Sequence, residues 1–236
     1  MIVIIIILNL IYDINSKAKK QKTMKKLLIL SFSLIISFSA FSQTSLYENP
    51  NFDAIASKHE IIAIVPFRTT ITLRPKQMEK ITPEQLVKMQ EAEGKDVQLG
   101  MYSWFLKREK QGKLRVKVQD PNISNAKLAK EGITMSNIIE YTPDELAKLL
   151  GVDAVISGTF ETSKPMSEGA SVALGLLVGF WGATNTAVIN LFIHNGEDAE
   201  LLVNYNKKIS GSVGSSTEDL VNILMRKASR RVSYTK

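Results

Sequence analysis

The stretch TPDELAKLLGVDAVISGTF, Thr142 to Phe160, carries a helix start, a helix stop and a strand in one run. Thr142 offers a capping hydroxyl, Pro143 suits the first helical position, and Glu145 stands where it can bond back to the cap. Leu146, Leu149 and Leu150 fall on one face, and Gly151 supplies the left-handed residue that ends such a helix. Asp153–Phe160 then reads as a strand.

The rest of the chain extends this pattern outward. Ile61–Phe67 (IIAIVPF) is a continuous apolar, β-branched run closed by proline, the signature of a strand buried on both faces. Thr82-Pro83-Glu84-Gln85 repeats the capping chemistry and predicts a helix over 83–93. Gly94 is expected to interrupt it, with a second helical stretch over 99–110. Residues 114–118 alternate apolar and basic, as a half-wet strand does, and residues 125–131 read as a short helix ending at Gly132. Residues 186–193 are strand-like, Asn195-Gly196 is the strongest turn signal, and Leu201, Val203, Tyr205 and Ile209 mark the returning strand. Ser216 would cap a last helix whose buried face is Leu220, Ile223, Leu224 and Ala228. The order strand, helix, strand, helix, strand, hairpin, helix predicts an α/β (α+β) domain over 59–236. Its mixed β-sheet is flanked by helices. Residues 43–58 are expected to form a loosely held N-terminal arm.

Upstream lies a leader. Met24-Lys25-Lys26, the uncharged run 27–41 and Ala40-Phe41-Ser42 are the charged region, apolar region and small-x-small cleavage site of a signal peptide over 24–42. The apolar run is 15 residues long, short of the ~18 of a spanning helix. Residues 1–23 then form an upstream extension or a mis-assigned start, and the mature protein begins at Gln43. Residues 1–42 hold six of the 30 basic and one of the 23 acidic side chains, so 24 and 22 remain beyond them. Much of the formal charge of +7 therefore belongs to the leader, and no nucleic-acid footprint is expected.

The chain has no cysteine and only two histidines, His59 and His194, far apart in sequence. No disulfide, metal site or other cofactor is expected, and both histidines read as surface or loop residues. No G-x-S-x-G, H-E-x-x-H or Walker sequence occurs. Gly211–Ser216 reads as a strand-to-helix connection, Asp144-Glu145 as a helix start, and Trp104 and Phe105 as core or partner contacts. The expectation is a protein without catalytic residues.

One stretch does not fit a plain domain. GASVALGLLVGFWGATNT (169–186) opens an uncharged run reaching Gly196 in a chain that is 22% charged. It is too short for a membrane helix, which needs about 20 residues, and rich in glycine, which costs about 1 kcal/mol per residue in a helix. As a strand it places Val172, Leu174, Leu176, Val178 and Phe180 on one face. The other face carries Ser171, Ala173, Gly175, Leu177, Gly179 and Trp181. That suits a membrane strand of about 9–11 residues, returning through 186–193. As a helix it presents Ser171, Gly175, Gly179 and Ala183 as a small-residue stripe for close contact. A third reading folds it over the protein's own sheet. The candidate interface or membrane residues are Val172, Leu174, Gly175, Leu176, Val178, Gly179, Phe180 and Trp181.

Taken together, IIAIVPF (61–67), TPDELAKLLGVDAVISGTF (142–160) and TAVINLFIHNGEDAELL (186–202) resemble the curli secretion-channel family of bacterial envelope proteins. They are more loosely similar to the outer-membrane activators of penicillin-binding proteins. The resemblance implies an exported α/β protein of the periplasm or the periplasmic face of the outer membrane. It also implies a role without catalysis in envelope assembly or secretion, homo-oligomers, and an unidentified envelope protein or the outer membrane as partner. A pore-forming secretion component with residues 171–193 as a membrane hairpin is the alternative. Channel members are lipoproteins with two membrane hairpins. This chain has no cysteine, and residues 201–210 run through 211–215 straight into the last helix, without room for a second hairpin.

Overall fold

The computed structural model describes residues 44–73, 75–163, 186–210, 217–232 and 234. The elements are β1 (Thr44–Glu48), α1 (Phe52–Ala56), β2 (Ile61–Ile64), β3 (Arg68–Thr72), α2 (Pro75–Met78), α3 (Pro83–Lys110), β4 (Lys117–Val118) and α4 (Pro121–Lys130). A 3-10 turn at Ile138–Glu140 leads to α5 (Pro143–Leu150), β5 (Ala154–Ser163), β6 (Thr186–Asn195), β7 (Leu201–Ser210) and α6 (Thr217–Arg231).

The strands form one mixed sheet in the order β1-β7-β6-β5-β2-β4, with β3 beside the later half of β5. β2, β3 and β5 run parallel, whereas β5, β6, β7 and β1 alternate in direction. The expected α/β domain with a mixed sheet is therefore present. β2 is the central parallel strand that its unbroken apolar run predicts: Ile62, Ala63 and Ile64 are all buried.

The two sheet faces are covered unequally. On the inner face, Ile62, Ile156, Phe160, Ile189, Leu191 and Tyr205 pack with Val97, Met101 and Phe105 of α3 and Leu220, Leu224 and Ala228 of α6. A fully buried side chain of this size contributes about 1.5–3 kcal/mol, so this face supplies most of the core. On the outer face a smaller cluster joins Ala63, Val65 and Val155 to Leu128 of α4 and Leu146, Ala147 and Leu150 of α5. Both capping boxes form as read: the cap backbone N–H groups of Thr82 and Thr142 donate to Gln85 and Glu145. Gly151 ends α5 at φ 67°.

Several local expectations need correction. Gly94 does not interrupt a helix, since α3 runs unbroken from Pro83 to Lys110. A Cβ at Gly94 would lie 2.2 Å from the Phe67 carbonyl oxygen, so the glycine serves close approach rather than helix termination. α4 starts four residues before the expected Asn125, because Asp120 caps it by accepting from Asn122 N–H and Pro121 occupies its first position. The strand expected over 114–118 is reduced to Lys117–Val118. The N-terminal arm is not loose over 44–56: β1 pairs with β7, and Phe52 of α1 is buried against the ring of Tyr234. The turn after Asn195 is longer than the two-residue type. Asn195 N–H donates to Glu200 O, and Ala199 takes the left-handed conformation at φ 59°. Gly196 is small because a Cβ there would meet the Ala147 Cβ at 2.7 Å and the Asp153 carbonyl oxygen at 2.8 Å.

Candidate interaction site

The antiparallel half of the sheet has one dry and one wet face. Along β6, Ala187, Ile189, Leu191 and Ile193 are buried, while Val188, Asn190, Phe192 and His194 are half-exposed. Strand alternation puts the second set on the outer face. α5 covers that face as far as Val155. Beyond it, the register lines up Arg68, Thr159, Asn190, Asn206 and Ser45 across five strands. The amides in this row bond to one another: Asn206 donates to Asn190, and Asn190 Nδ2 donates to Thr159 Oγ1 at 3.1 Å. A row of this kind fixes register, and its Thr159–Asn190–Asn206 part presents a polar floor without charge.

Beside this floor lies a recess of about 160 Å³. Pro66, Arg68, Ile139, Tyr141, Ser157 and Phe192 are among its lining residues. Ile139, in the 3-10 turn at the rim, is 63% exposed. The recess joins apolar walls to one guanidinium. That chemistry suits a side chain of another protein better than a reacting group, because no acid–base pair faces it. Among the described residues, no three His, Asp or Glu side chains lie close enough to hold a metal ion. No described helix is long and apolar enough to cross a membrane.

The strand ends position the apolar stretch. Ser163 of β5 stands opposite Thr186 of β6, and Thr186 stands opposite Ser210 of β7. The chain between Ser163 and Thr186 therefore leaves and re-enters the sheet at one end, beside Thr72 of β3. The candidate residues Val172, Leu174, Gly175, Leu176, Val178, Gly179, Phe180 and Trp181 lie outside the described residues, as does the Gly211–Ser216 connection. The return limb of the membrane-hairpin alternative, residues 186–193, is β6. It is paired on both sides, with its apolar set in the core.

Of the surface or loop positions expected for the histidines, His59 takes a loop position between α1 and β2 but a buried one, and His194 sits on β6. His59 is buried, with Nδ1 2.5 Å from the Tyr234 hydroxyl and Nε2 3.1 Å from Asn195 Oδ1. Asn195 in turn donates to Asp198 Oδ1, and Asn49 donates to Glu200 Oε1. This network ties the N-terminal segment, the β6–β7 turn and the C-terminus together, opposite the end that carries residues 164–185. Sequence spacing gave no hint of it, because its members lie up to 175 positions apart. His194 is half-buried beside Phe192, and burial lowers its pKa. Phe105 is a core residue, whereas Trp104 is partly buried under Lys107, whose Nζ lies 4.6 Å from the ring centre.

Burial, followed by the nearby Asp153 carboxylate, raises the Tyr234 pKa far above 10.0. A raised folded-state value means that the unfolded chain gives up this proton first. Stability tied to Tyr234 is thus present below pH ~10 and declines as pH rises above it. Tyr234→Phe should cost about 1–3 kcal/mol at neutral pH by unpairing His59, and should flatten the alkaline decline. Urea unfolding at pH 7 and pH 11 measures both; an unchanged alkaline slope in the variant would refute the assignment.

No protein-family model matches this chain, and no curated protein sequence does. Among solved structures it is similar to the lipoprotein GNA1162 from Neisseria meningitidis, with TM-score 0.40 and 14% identity, covering 73% of this chain and 96% of that one. It is also similar to a PelC dodecamer from Paraburkholderia phytofirmans, with TM-score 0.40 and 10% identity over 81% and 96% of the two chains. The C-terminal domain of LpoB from Salmonella enterica gives TM-score 0.31 and 9% identity over 69% and 94%. Likenesses this distant carry no argument about function, so the chain's own residues must supply it.

Proposed function

We propose that this protein is an exported, non-enzymatic accessory of the bacterial cell envelope, at the periplasm or the periplasmic face of the outer membrane. It self-associates or binds an envelope partner through residues 172–181. The carrying observation is the β5–β6 junction. Ser163 and Thr186 are paired neighbours, and about two to five residues suffice to close such a hairpin. The sequence places 22 residues there, and all of those from Gly169 on are uncharged. The insertion is far longer than closing the hairpin needs, and exposed apolar patches mark interfaces. The signal-peptide pattern over 24–42 supports export, and the curli-channel and activator resemblance supports the envelope. The pore alternative is weaker, because β6 already belongs to the domain.

The test is Gly175→Leu/Gly179→Leu. Both glycines lie on the small face of the stretch, read as strand or as helix, where close approach needs small residues. The variant should keep its circular dichroism spectrum but lose its large species in size-exclusion chromatography, or its sedimentation with outer membranes. A lowered melting temperature with unchanged association overturns the proposal, since bulk added against the protein's own domain costs about 1–3 kcal/mol per site.

A further inference from the structure

We propose that the free edge of β1 pairs with β1 of a second copy of this chain, antiparallel about Leu46, so that two sheets continue as one. Among the described residues β1 ends the sheet order, and all five of its residues are exposed although one side is paired to β7. Leu46 and Tyr47 are 42% and 47% exposed. Edge strands are usually guarded by lysine, proline or a bulge. TSLYE contains neither residue, and its pairing with β7 runs without a register shift.

The hydrogen-bond phase of β1 leaves the free edge ready. Asn49 N–H donates to Leu202 O at 2.8 Å. Antiparallel alternation then turns the backbone groups of Tyr47 and Ser45 toward β7 and those of Thr44, Leu46 and Glu48 outward. A two-fold axis at Leu46 sets Leu46 against its own copy and Thr44 against Glu48, and every outward group finds a partner. The side chains agree. Leu46 meets Leu46 of the second copy on the helix-covered side, burying two exposed leucines. Tyr47 lies over Ser45, extending the polar row of the outer face. The buried Lys207 donates its Nζ to the Thr44 hydroxyl, and in this register Thr44 is the neighbour of the other copy's Glu48. The same contact repeats across the axis, as an isologous interface requires.

This surface does not include residues 172–181, and the experiment separates the two. Sedimentation of the exported protein in detergent-free buffer should show a dimer that persists in the Gly175→Leu/Gly179→Leu variant. Leu46→Pro removes an outward N–H and the exposed leucine but no β1–β7 hydrogen bond, so it should abolish the dimer while leaving the melting temperature nearly unchanged. Leu46→Lys places like charges at the axis and should do the same. The chain has no native cysteine, so register can be read directly. Ser45→Cys and Tyr47→Cys proteins, mixed and oxidised, should give a covalent dimer that neither gives alone. A monomer at all concentrations overturns the proposal. So does a dimer that survives Leu46→Pro, or a mixture that cross-links no better than its components.

Discussion

Gly158→Ala is expected to destabilise the fold by about 3 kcal/mol or more, and Gly94→Ala by a similar amount, at the upper end of overpacking costs. Both glycines grip Phe67, which is fully buried. A Cβ at Gly158 would stand 2.1 Å from the Asn190 carbonyl oxygen and 2.5 Å from the Phe67 ring. At Gly94 it would stand 2.2 Å from the Phe67 carbonyl oxygen and 2.7 Å from Met135 Sδ. The methionine can swing away, but the Asn190 carbonyl is held within β6 and Phe67 is tied to α3 by its N–H bond to the Gly94 carbonyl. Gly94 makes the sharper case. It lies inside α3, where alanine is favoured by about 1 kcal/mol, so propensity alone predicts a more stable protein. The clash is the larger effect and sets the sign. Gly112 is the control, because a Cβ there meets nothing within 4 Å and its φ of +66° carries only the left-handed cost, about 1–2 kcal/mol. Urea denaturation ranks the three, and a Gly94→Ala protein as stable as its parent would falsify the close-approach reading.

Gly94 also marks where the sequence stops being legible. A glycine in a helical run reads as a break because the sequence carries only its local cost. The benefit lies in Phe67, 27 residues upstream on another element. Local chemistry is read well: Thr82, Thr142 and Gly151 act through neighbours within four residues, and α3 and α5 start where their caps predict. Asp120-Pro121 is the same signal, yet the apolar residues that follow it are sparse, so the pattern predicts α4 to start late. The inner face of β6 follows from strict alternation at Ala187, Ile189, Leu191 and Ile193. The returning strand is only partly legible, since the register shift between Ile193 and His194 leaves both Leu202 and Val203 buried. The candidate site divides in the same way. The apolar stretch is visible as composition alone. The amide row Asn206–Asn190–Thr159 and the His59–Tyr234 contact arise only when strands and termini far apart in sequence meet. The exposed edge of β1 is a property of sheet order, which no local pattern encodes.

Asp153→Ala is the second change expected to be severe, at about 2–3 kcal/mol, and it gives the Gly-Val-Asp of the opening stretch a physical role. Gly151 turns the chain out of α5, and Asp153 receives it at the sheet. Its Oδ2 accepts the backbone N–H groups of Glu60 at 2.7 Å and Ile61 at 2.9 Å. Its own N–H donates to Ile61 O, and its carbonyl accepts from Gly196, both at 2.8 Å. One residue thereby fixes the start of β2 and the β6–β7 turn against β5. Hydrogen bonds to a charged group are worth about 1.5–3 kcal/mol each. The site is half-exposed, so water recovers part of the loss, and the expected total falls below the sum of two such bonds. Asp153→Asn keeps an acceptor oxygen and loses the charge, so it should cost about 1 kcal/mol or less. The pair of variants separates geometry from charge, and Tyr234 gives an independent reading of the charge. The Asp153 carboxylate is the second cause, after burial, of the raised Tyr234 pKa. Removing it lowers the folded-state value toward that of the unfolded chain, so either variant should lose less stability between pH 7 and pH 11 than the parent does. Unfolding free energies measured across that range decide the matter. An Asp153→Ala protein no less stable than Asp153→Asn at pH 7 would remove the capping role, and an alkaline slope identical to the parent's would remove the electrostatic one.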